Sequence, residues 1–176
     1  VIKTFNLLTY KPIIYVCNVD ENSIVNGNQF SKQVEEYSNE KNLGCMKISA
    51  KIESEISSFK LESEKTEFLE SIGLQETSLS KLISKGYEIL DLITFFTSGP
   101  KESRAWSIKK GTFVPDAGAK IHTDFKTGFI KAEVISYEDF VKFNGETRCK
   151  ENGRLKLEGR EYIVNDGDVI TFRFNV

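Results

Sequence analysis

The segment Pro12-Ile13-Ile14-Tyr15-Val16-Cys17 constrains this chain more than any other. From Ile13 to Cys17 there is no polar residue to break the run. A strand made of it carries apolar side chains on both faces and needs cover on both, as in parallel sheets. Proline stands at its head, where a missing N–H is tolerated. The run stops abruptly at Asn18-Val19-Asp20-Glu21. Phe30, Val34 and Tyr37 then fall at helical spacing over residues 28–42, with Glu35, Glu36, Glu40 and Lys41 on the wet side. Cys45-Met46-Lys47-Ile48 reads as a second short strand ending in Ser49-Ala50-Lys51. Strand, helix and strand within about 40 residues make a βαβ unit.

Ligands of such sheets sit at the carboxyl ends of the strands. Neighbouring strands would place the two polar tails, Asn18–Glu21 and Ser49–Lys51, side by side there. An Asn amide both donates and accepts at a purine edge, and a carboxylate three residues later accepts from purine N–H groups. The turn at Ser49-Ala50-Lys51 offers a backbone N–H. Asn-x-x-Glu after a strand is common and taken alone specifies little. The pair of tails resembles the base-recognition end of P-loop NTPases of the translation-factor class, which carry Asn-Lys-x-Asp and Ser-Ala-Lys motifs. Val19 stands where that pattern has Lys, and Glu21 where it has Asp. The extra methylene moves the carboxylate by about a bond length and weakens the match to guanine, so adenine becomes a plausible base.

Residues 53–92 read as helical. Phe68, Leu69 and Ile72 mark one helix over 62–72. Thr77 or Ser78 caps another bearing Leu79, Leu82, Ile83, Tyr87 and Leu90. That stripe reads as core, and Glu62, Glu64, Glu67 and Glu70 as a solvated face. Beyond it, Leu92–Thr97, Arg104–Ile108 and Phe129–Ile135 read as strands. A short helix is expected within 117–128 and another at Tyr137–Phe143. Glu161–Val164 and Val169–Phe174 read as strands joined by a hairpin at Asn165-Asp166-Gly167-Asp168. This order over about 85 residues is that of a β-grasp, ubiquitin-like domain. The expected fold class is therefore an α/β fragment of a P-loop NTPase sheet followed by an α+β β-grasp domain. With 176 residues the chain has room for one domain or two small ones.

Charge separates the halves. Residues 1–92 hold 10 Lys/Arg against 14 Asp/Glu, and residues 93–176 hold 14 against 12. Residues 93–132 alone carry a net +4. Lys109, Lys110, Lys120, Lys126 and Lys131, interleaved with Trp106, Phe125 and Phe129, could meet the phosphates of RNA. The alternative reading makes the aromatics core and the lysines solubilising charge. His122, the only histidine, fits a cap on the turn before Asp124 better than a metal ligand or base. Cys17, Cys45 and Cys149 have neither CxxC spacing nor an even count, which argues against a zinc site or a disulfide framework and fits a reducing cytoplasm. The apolar runs are far shorter than the ~18–20 residues of a membrane span.

The longer motifs point to a family. Asn18-Val19-Asp20-Glu21 is followed by residues 95–111 (Phe-Phe-Thr-Ser-Gly-Pro-Lys-Glu-Ser-Arg-Ala-Trp-Ser-Ile-Lys-Lys-Gly) and residues 118–133 (Gly-Ala-Lys-Ile-His-Thr-Asp-Phe-Lys-Thr-Gly-Phe-Ile-Lys-Ala-Glu). Tyr162–Ile170 and a terminal Phe174-Asn175-Val176 complete the set. Together they resemble the C-terminal portion of the Obg-like ATPases of the YchF type over essentially the whole chain. The resemblance implies that 1–91 is the C-terminal part of a P-loop domain, with 1–10 leaving a helical insertion, and that 92–176 is a TGS domain. It implies ATP hydrolysis with ATP preferred over GTP, Mg²⁺ as cofactor, a stress-linked role, and ribosome or ribosomal RNA as partner. It maps base recognition onto Asn18, Val19 (through its backbone), Glu21, Ser49, Ala50 and Lys51. No Gly-x-x-x-x-Gly-Lys-[Ser/Thr] occurs in the chain. The chain by itself is thus expected not to hydrolyse ATP and to bind no cofactor tightly. The alternative is a stand-alone TGS-type RNA- or ribosome-binding module without catalysis.

Overall fold

A computed structural model describes residues 2–175, the side chains of Ile2 and Lys3 excepted. Val1, at the head of the segment expected to leave a helical insertion, and Val176, last of the terminal triplet, lie outside the described residues. The chain divides into two compact units, Val1–Leu90 and Asp91–Val176.

In the first unit, two 3-10 turns at Ile2–Phe5 and Leu8–Tyr10 lead into strand β1, Ile14–Asn18. Helix α1, Gln29–Glu40, follows, then strand β2, Gly44–Ile48. β1 and β2 are parallel neighbours with Asn18 opposite Ile48. Asn28 starts α1 as a capping box: its Oδ1 accepts from the Ser31 N–H at 2.9 Å, and Ser31 Oγ accepts from the Asn28 N–H at 2.8 Å. Helices α2, Ala50–Ser58, α3, Glu62–Ser71, and α4, Ser78–Ile89, complete the unit. Thr77 Oγ1 accepts from the Ser80 N–H and caps α4.

The core of this unit is small: Val19, Ile24, Ile52, Ile56 and Leu69, with Cys17, Phe68, Ile72 and Leu74 packed against it. Two expectations change here. The α4 stripe is not fully core, since Leu79, Ile83 and Leu90 are exposed. α4 packs on β2, and a two-stranded sheet is too narrow to cover a whole helix face. The continuous apolar run is likewise only half covered. Among the described residues β1 pairs with β2 alone, and Ile13 and Val16 are exposed.

The second unit is a five-stranded mixed sheet in the order β4-β3-β7-β5-β6. Its strands are β3, Leu92–Ser98; β4, Ser103–Lys109; β5, Phe129–Ser136; β6, Lys156–Glu158; and β7, Asp168–Phe174. β3 runs parallel to β7, and the other pairs are antiparallel. Helices α5, Val114–Ala119, and α6, Thr123–Thr127, belong to the connection between β4 and β5, with α6 packed on β5 and β7. Helix α7, Tyr137–Lys142, packs on β5 and β7 and meets α8, Glu146–Glu151. Phe95, Ile108, Val114, Ala117, Phe129, Ala132, Val134, Val164, Ile170 and Phe172 form one continuous core. Gly128 sits where a Cβ would run into the Asn175 carbonyl, so a larger residue would push the end of the chain off β5.

The expected hairpin at 161–174 is not formed. Residues 161–164 contribute one isolated bridge, Phe113 to Ile163, and the true partner strands of β7 are β3 and β5. Asn165–Asp168 still turns the chain, but long-range bonds hold it. Thr94 donates its N–H to Asp166 Oδ1 at 2.8 Å, and Gly167 donates to the Thr94 carbonyl at 2.8 Å. β6 and α8 were not foreseen: Lys156–Glu158 is too short and charged to read as a strand, and Glu146–Glu151 has no apolar stripe.

Candidate functional site

The parallel pairing of β1 with β2 fixes where the two polar tails lie. Asn18 is the last residue of β1 and faces Ile48, the last residue of β2. The Ala50 N–H donates to Asn18 Oδ1 at 3.1 Å, and the Val19 N–H donates to the Ile48 carbonyl at 2.8 Å. Lys51 Nζ donates to Glu21 Oε2 at 2.9 Å. All six sequence-derived residues, Asn18, Val19, Glu21, Ser49, Ala50 and Lys51, therefore gather at one end of this sheet.

Their roles divide. Val19 is buried in the core and its N–H is taken by Ile48, which leaves its carbonyl for any further contact. Ala50 and Lys51 open helix α2 instead of forming a free turn. Asn18 Oδ1 is engaged by the Ala50 N–H. Glu21 and Lys51 face solvent, at 41% and 69% side-chain exposure, so their pairing is exchangeable. The Glu21 carboxylate holds the Lys51 ammonium above its ordinary range, first through the hydrogen bond and then through charge. Ser49 is buried, and its hydroxyl has no hydrogen-bond partner among the described residues. Buried hydroxyls are nearly always paired, so this one stands out.

Tyr15, Val16, Cys17, Asn18 and Val19 line a cleft of about 350 Å³ with Asn28, Phe30, Ser31 and Val34 of α1. A second cavity, of about 400 Å³, is lined by Lys47, Lys81 and Lys85 among apolar residues. Sequence reading missed it because its lysines come from one strand and one helix with no local motif. Cys17 lies beside Cys45, and burial first, then Cys45, pushes its thiol up. A raised thiol is a poor nucleophile.

Together Asn18, Glu21, Ala50 and Lys51 set amide, carboxylate, ammonium and backbone groups, able to donate and accept hydrogen bonds, at one end of the sheet. No glycine-rich phosphate loop is in the sequence, and no group of three His, Cys, Asp or Glu among the described residues could hold a metal ion. Among the described residues no helix is long and apolar enough to cross a membrane.

In the second unit the five lysines are dispersed. Lys109 ends edge strand β4, Lys110 lies in the turn after it, Lys120 caps α5, Lys126 lies in α6, and Lys131 in β5. β4 and β5 are three strand spacings apart, roughly 14 Å. Lys126 is ion-paired with Asp116. The interleaved aromatics pack inward: Phe129 is buried, Phe125 packs on Phe172 and Phe174, and Trp106 stacks on Phe95. His122 caps α6, its Nδ1 accepting from the Asp124 N–H at 3.3 Å.

Comparison with known proteins bears on this arrangement. The family model YchF-GTPase_C, described as "Protein of unknown function (DUF933)", matches residues 92–175. A protein of Haemophilus influenzae named Ribosome-binding ATPase YchF is 49% identical over 175 residues, covering 99% of this chain and 48% of that protein. The protein of that name from Bacillus subtilis is 47% identical over 177 residues, with the same coverage. The solved structure of the Schizosaccharomyces pombe YchF GTPase superposes with a TM-score of 0.84 at 31% identity, over 98% of this chain and 46% of that one. The chain spans about half the length of the curated relatives it matches. With homology running through both units and the family model on the second, the chain belongs to the YchF family and corresponds to its C-terminal portion.

Proposed function

We propose that residues 1–91 supply the base end of a purine-nucleotide pocket in a ribosome-associated ATPase, and that residues 92–176 are its TGS-type β-grasp domain. The observation that carries this reading is the junction of two strand ends by the Ala50 N–H to Asn18 Oδ1 bond, with Glu21 and Lys51 beside it. Asn18 and Glu21 then read the base edge, and Ser49, whose buried hydroxyl the fold leaves unpaired, supplies a further polar group. The carboxylate of Glu21 is the specificity element: it favours ATP over GTP because it is one methylene too long for the guanine pattern. Phosphate binding, Mg²⁺ and hydrolysis belong to the part of the whole protein that carries a phosphate loop. The whole protein works in the cytoplasm on or near ribosomes, in keeping with what its relatives are named for.

The test is nucleotide binding by the whole protein with Asn18→Ala or Glu21→Ala. Losing a hydrogen bond to a charged or polar base edge weakens ATP by roughly 5- to 100-fold. Unchanged ATP affinity in both variants would sink the reading. The module reading without catalysis draws on the exposed Lys110, Lys120 and Lys131. Reversing Lys110, Lys120 and Lys131 to Glu should then weaken ribosome co-sedimentation and flatten its salt dependence.

A further inference from the structure

The cavity of about 400 Å³ in the first unit takes no part in the junction of the two strand ends. Its walls come from three places: Ile24 and Val25 before α1, Met46 and Lys47 of β2, and Lys81 and Lys85 of α4. A volume of that order holds a small organic molecule and not merely an ion.

Charge sets this cavity apart. Residues 1–92 carry 14 Asp/Glu against 10 Lys/Arg. Three of those ten cations nevertheless line this one cavity, and no Asp or Glu lines it. Tertiary structure brings them together: Lys81 and Lys85 lie one turn apart on α4, which packs on β2, the strand that carries Lys47. Like charges at that helical spacing repel, so a fold that gathers them gains when an anion arrives.

The three lysines are differently committed. Lys85 Nζ donates to Glu88 Oε2 at 2.7 Å. Lys47 Nζ makes one long bond, 3.4 Å, to the Val25 carbonyl. Among the described residues Lys47 and Lys81 form no ion pair. Glu53, which reaches the start of α4, is taken by the Ser78 N–H at 2.7 Å. Two ammonium groups are therefore free of any carboxylate, and the third is held by an exchangeable surface pair. A phosphomonoester brings a charge of about −1.5 to −2 near pH 7 and three acceptor oxygens, which matches that set; a single carboxylate leaves one ammonium uncompensated. Lysine meets phosphate as a point charge and needs no fixed fork geometry. Ile24, Val25, Met46 and Leu74 keep the rest of the lining apolar, which suits a hydrophobic or planar body.

We propose that the cavity between β2 and α4 binds a small organic phosphate. Lys47, Lys81 and Lys85 hold the phosphate, and the apolar lining encloses the body that carries it. The site does not rest on the nucleotide reading of the strand ends, and it shares no residue with that reading.

The probe is phenyl phosphate, titrated into the full chain and followed by amide NMR. The expected result is saturable shifts confined to residues 24–25, 45–47 and 74–85. Binding should be at least about tenfold tighter than that of phenol or of inorganic phosphate, each of which lacks one half of the ligand. Lys47→Gln and Lys81→Gln should each weaken phenyl phosphate about fivefold, with the circular dichroism of the chain unchanged, and Lys81→Arg should keep the affinity. Lys32→Gln, an exposed site on α1, controls for bulk charge and should change nothing. Shifts at residues 18–21 and 49–51 alone overturn the proposal, because they put the phosphate at the strand ends. Equal binding of phenol or of inorganic phosphate overturns it too, as does a loss in Lys32→Gln as large as in Lys81→Gln. So does the absence of any shift at about 10 mM probe, a concentration beyond the reach of a specific site.

Discussion

The first unit builds its polar site on a sheet of two strands, whereas the second spends five strands on enclosing a core. In the first, Val19, Ile24, Ile52, Ile56 and Leu69 are the buried apolar residues among those described, and Phe30, Leu79 and Ile83 stand open. In the second, Phe95, Val114, Ala117 and Ala132 are fully out of water, and sheet and helices close around them. Two strands rarely hold together without further cover, while a five-stranded sheet with helices on it does. The contrast teaches that the unit with the more recognisable chemistry is the one whose apolar faces are less complete.

The largest effect should come from the closed core. Phe95→Ala removes a ring packed against Trp106 and Phe172 and should cost about 3–5 kcal/mol in denaturant unfolding. Ile52→Ala, buried in the smaller cluster, should cost about 2 kcal/mol, at the low end for such a change. Equal losses would break the comparison.

Next comes the turn that locks β7. Asp168 Oδ2 accepts from the Tyr162 hydroxyl at 2.7 Å and from the Asn165 N–H at 2.9 Å. Asp168→Ala strands both donors and should cost about 2 kcal/mol. Burial pushes the Asp168 carboxyl above its ordinary 3.8. Between that value and its raised folded value the folded chain holds more proton than the unfolded one, so this group's contribution declines as pH rises through the window. Urea midpoints measured across that window should lose this component in Asp168→Asn. Burial, with Asp168 beside it, also lifts the Tyr162 hydroxyl well above its ordinary range, so it stays a donor at every pH of interest.

Smaller effects sharpen the first unit. Asn18→Ala frees the Ala50 N–H and should cost about 1 kcal/mol. Ser49→Ala removes a buried hydroxyl without a partner and should leave stability unchanged or raise it by about 1 kcal/mol. A loss of more than that from Ser49→Ala would show that the hydroxyl already has structural work in this unit. Last is the exposed pair of Arg173 with Glu133 at 2.9 Å, which holds the Glu133 carboxyl below its ordinary 4.5. In Arg173→Gln an NMR titration should find that carboxyl moved back up, with little change in stability.

Much was legible locally. The unbroken run at Ile13–Cys17, the spacing of Phe30, Val34 and Tyr37, and the alternation around Phe95 and Trp106 each specify an element, because backbone periodicity alone sets which side chains share a face. The cap at His122 was readable for the same reason, since a cap acts over two or three residues. The hairpin at Asn165–Asp168 was misread because turn chemistry is local but strand partners are not. Its residues suit a turn, yet Thr94, some seventy residues earlier, holds it in place.

The sequence by itself determined most of the elements, the two polar tails and the family resemblance, all of which reside in short-range patterns and in long matched motifs. Only the tertiary structure decided that Asn18 meets Ala50 and Glu21 meets Lys51, that Lys126 is tied to Asp116 while Lys131 lies strands away from Lys109, and that β4 ends the sheet. The physical reason is the same in each case: which residues become neighbours across a sheet depends on strand pairing, and pairing is settled by how whole faces bury their apolar area, not by any residue's local preference.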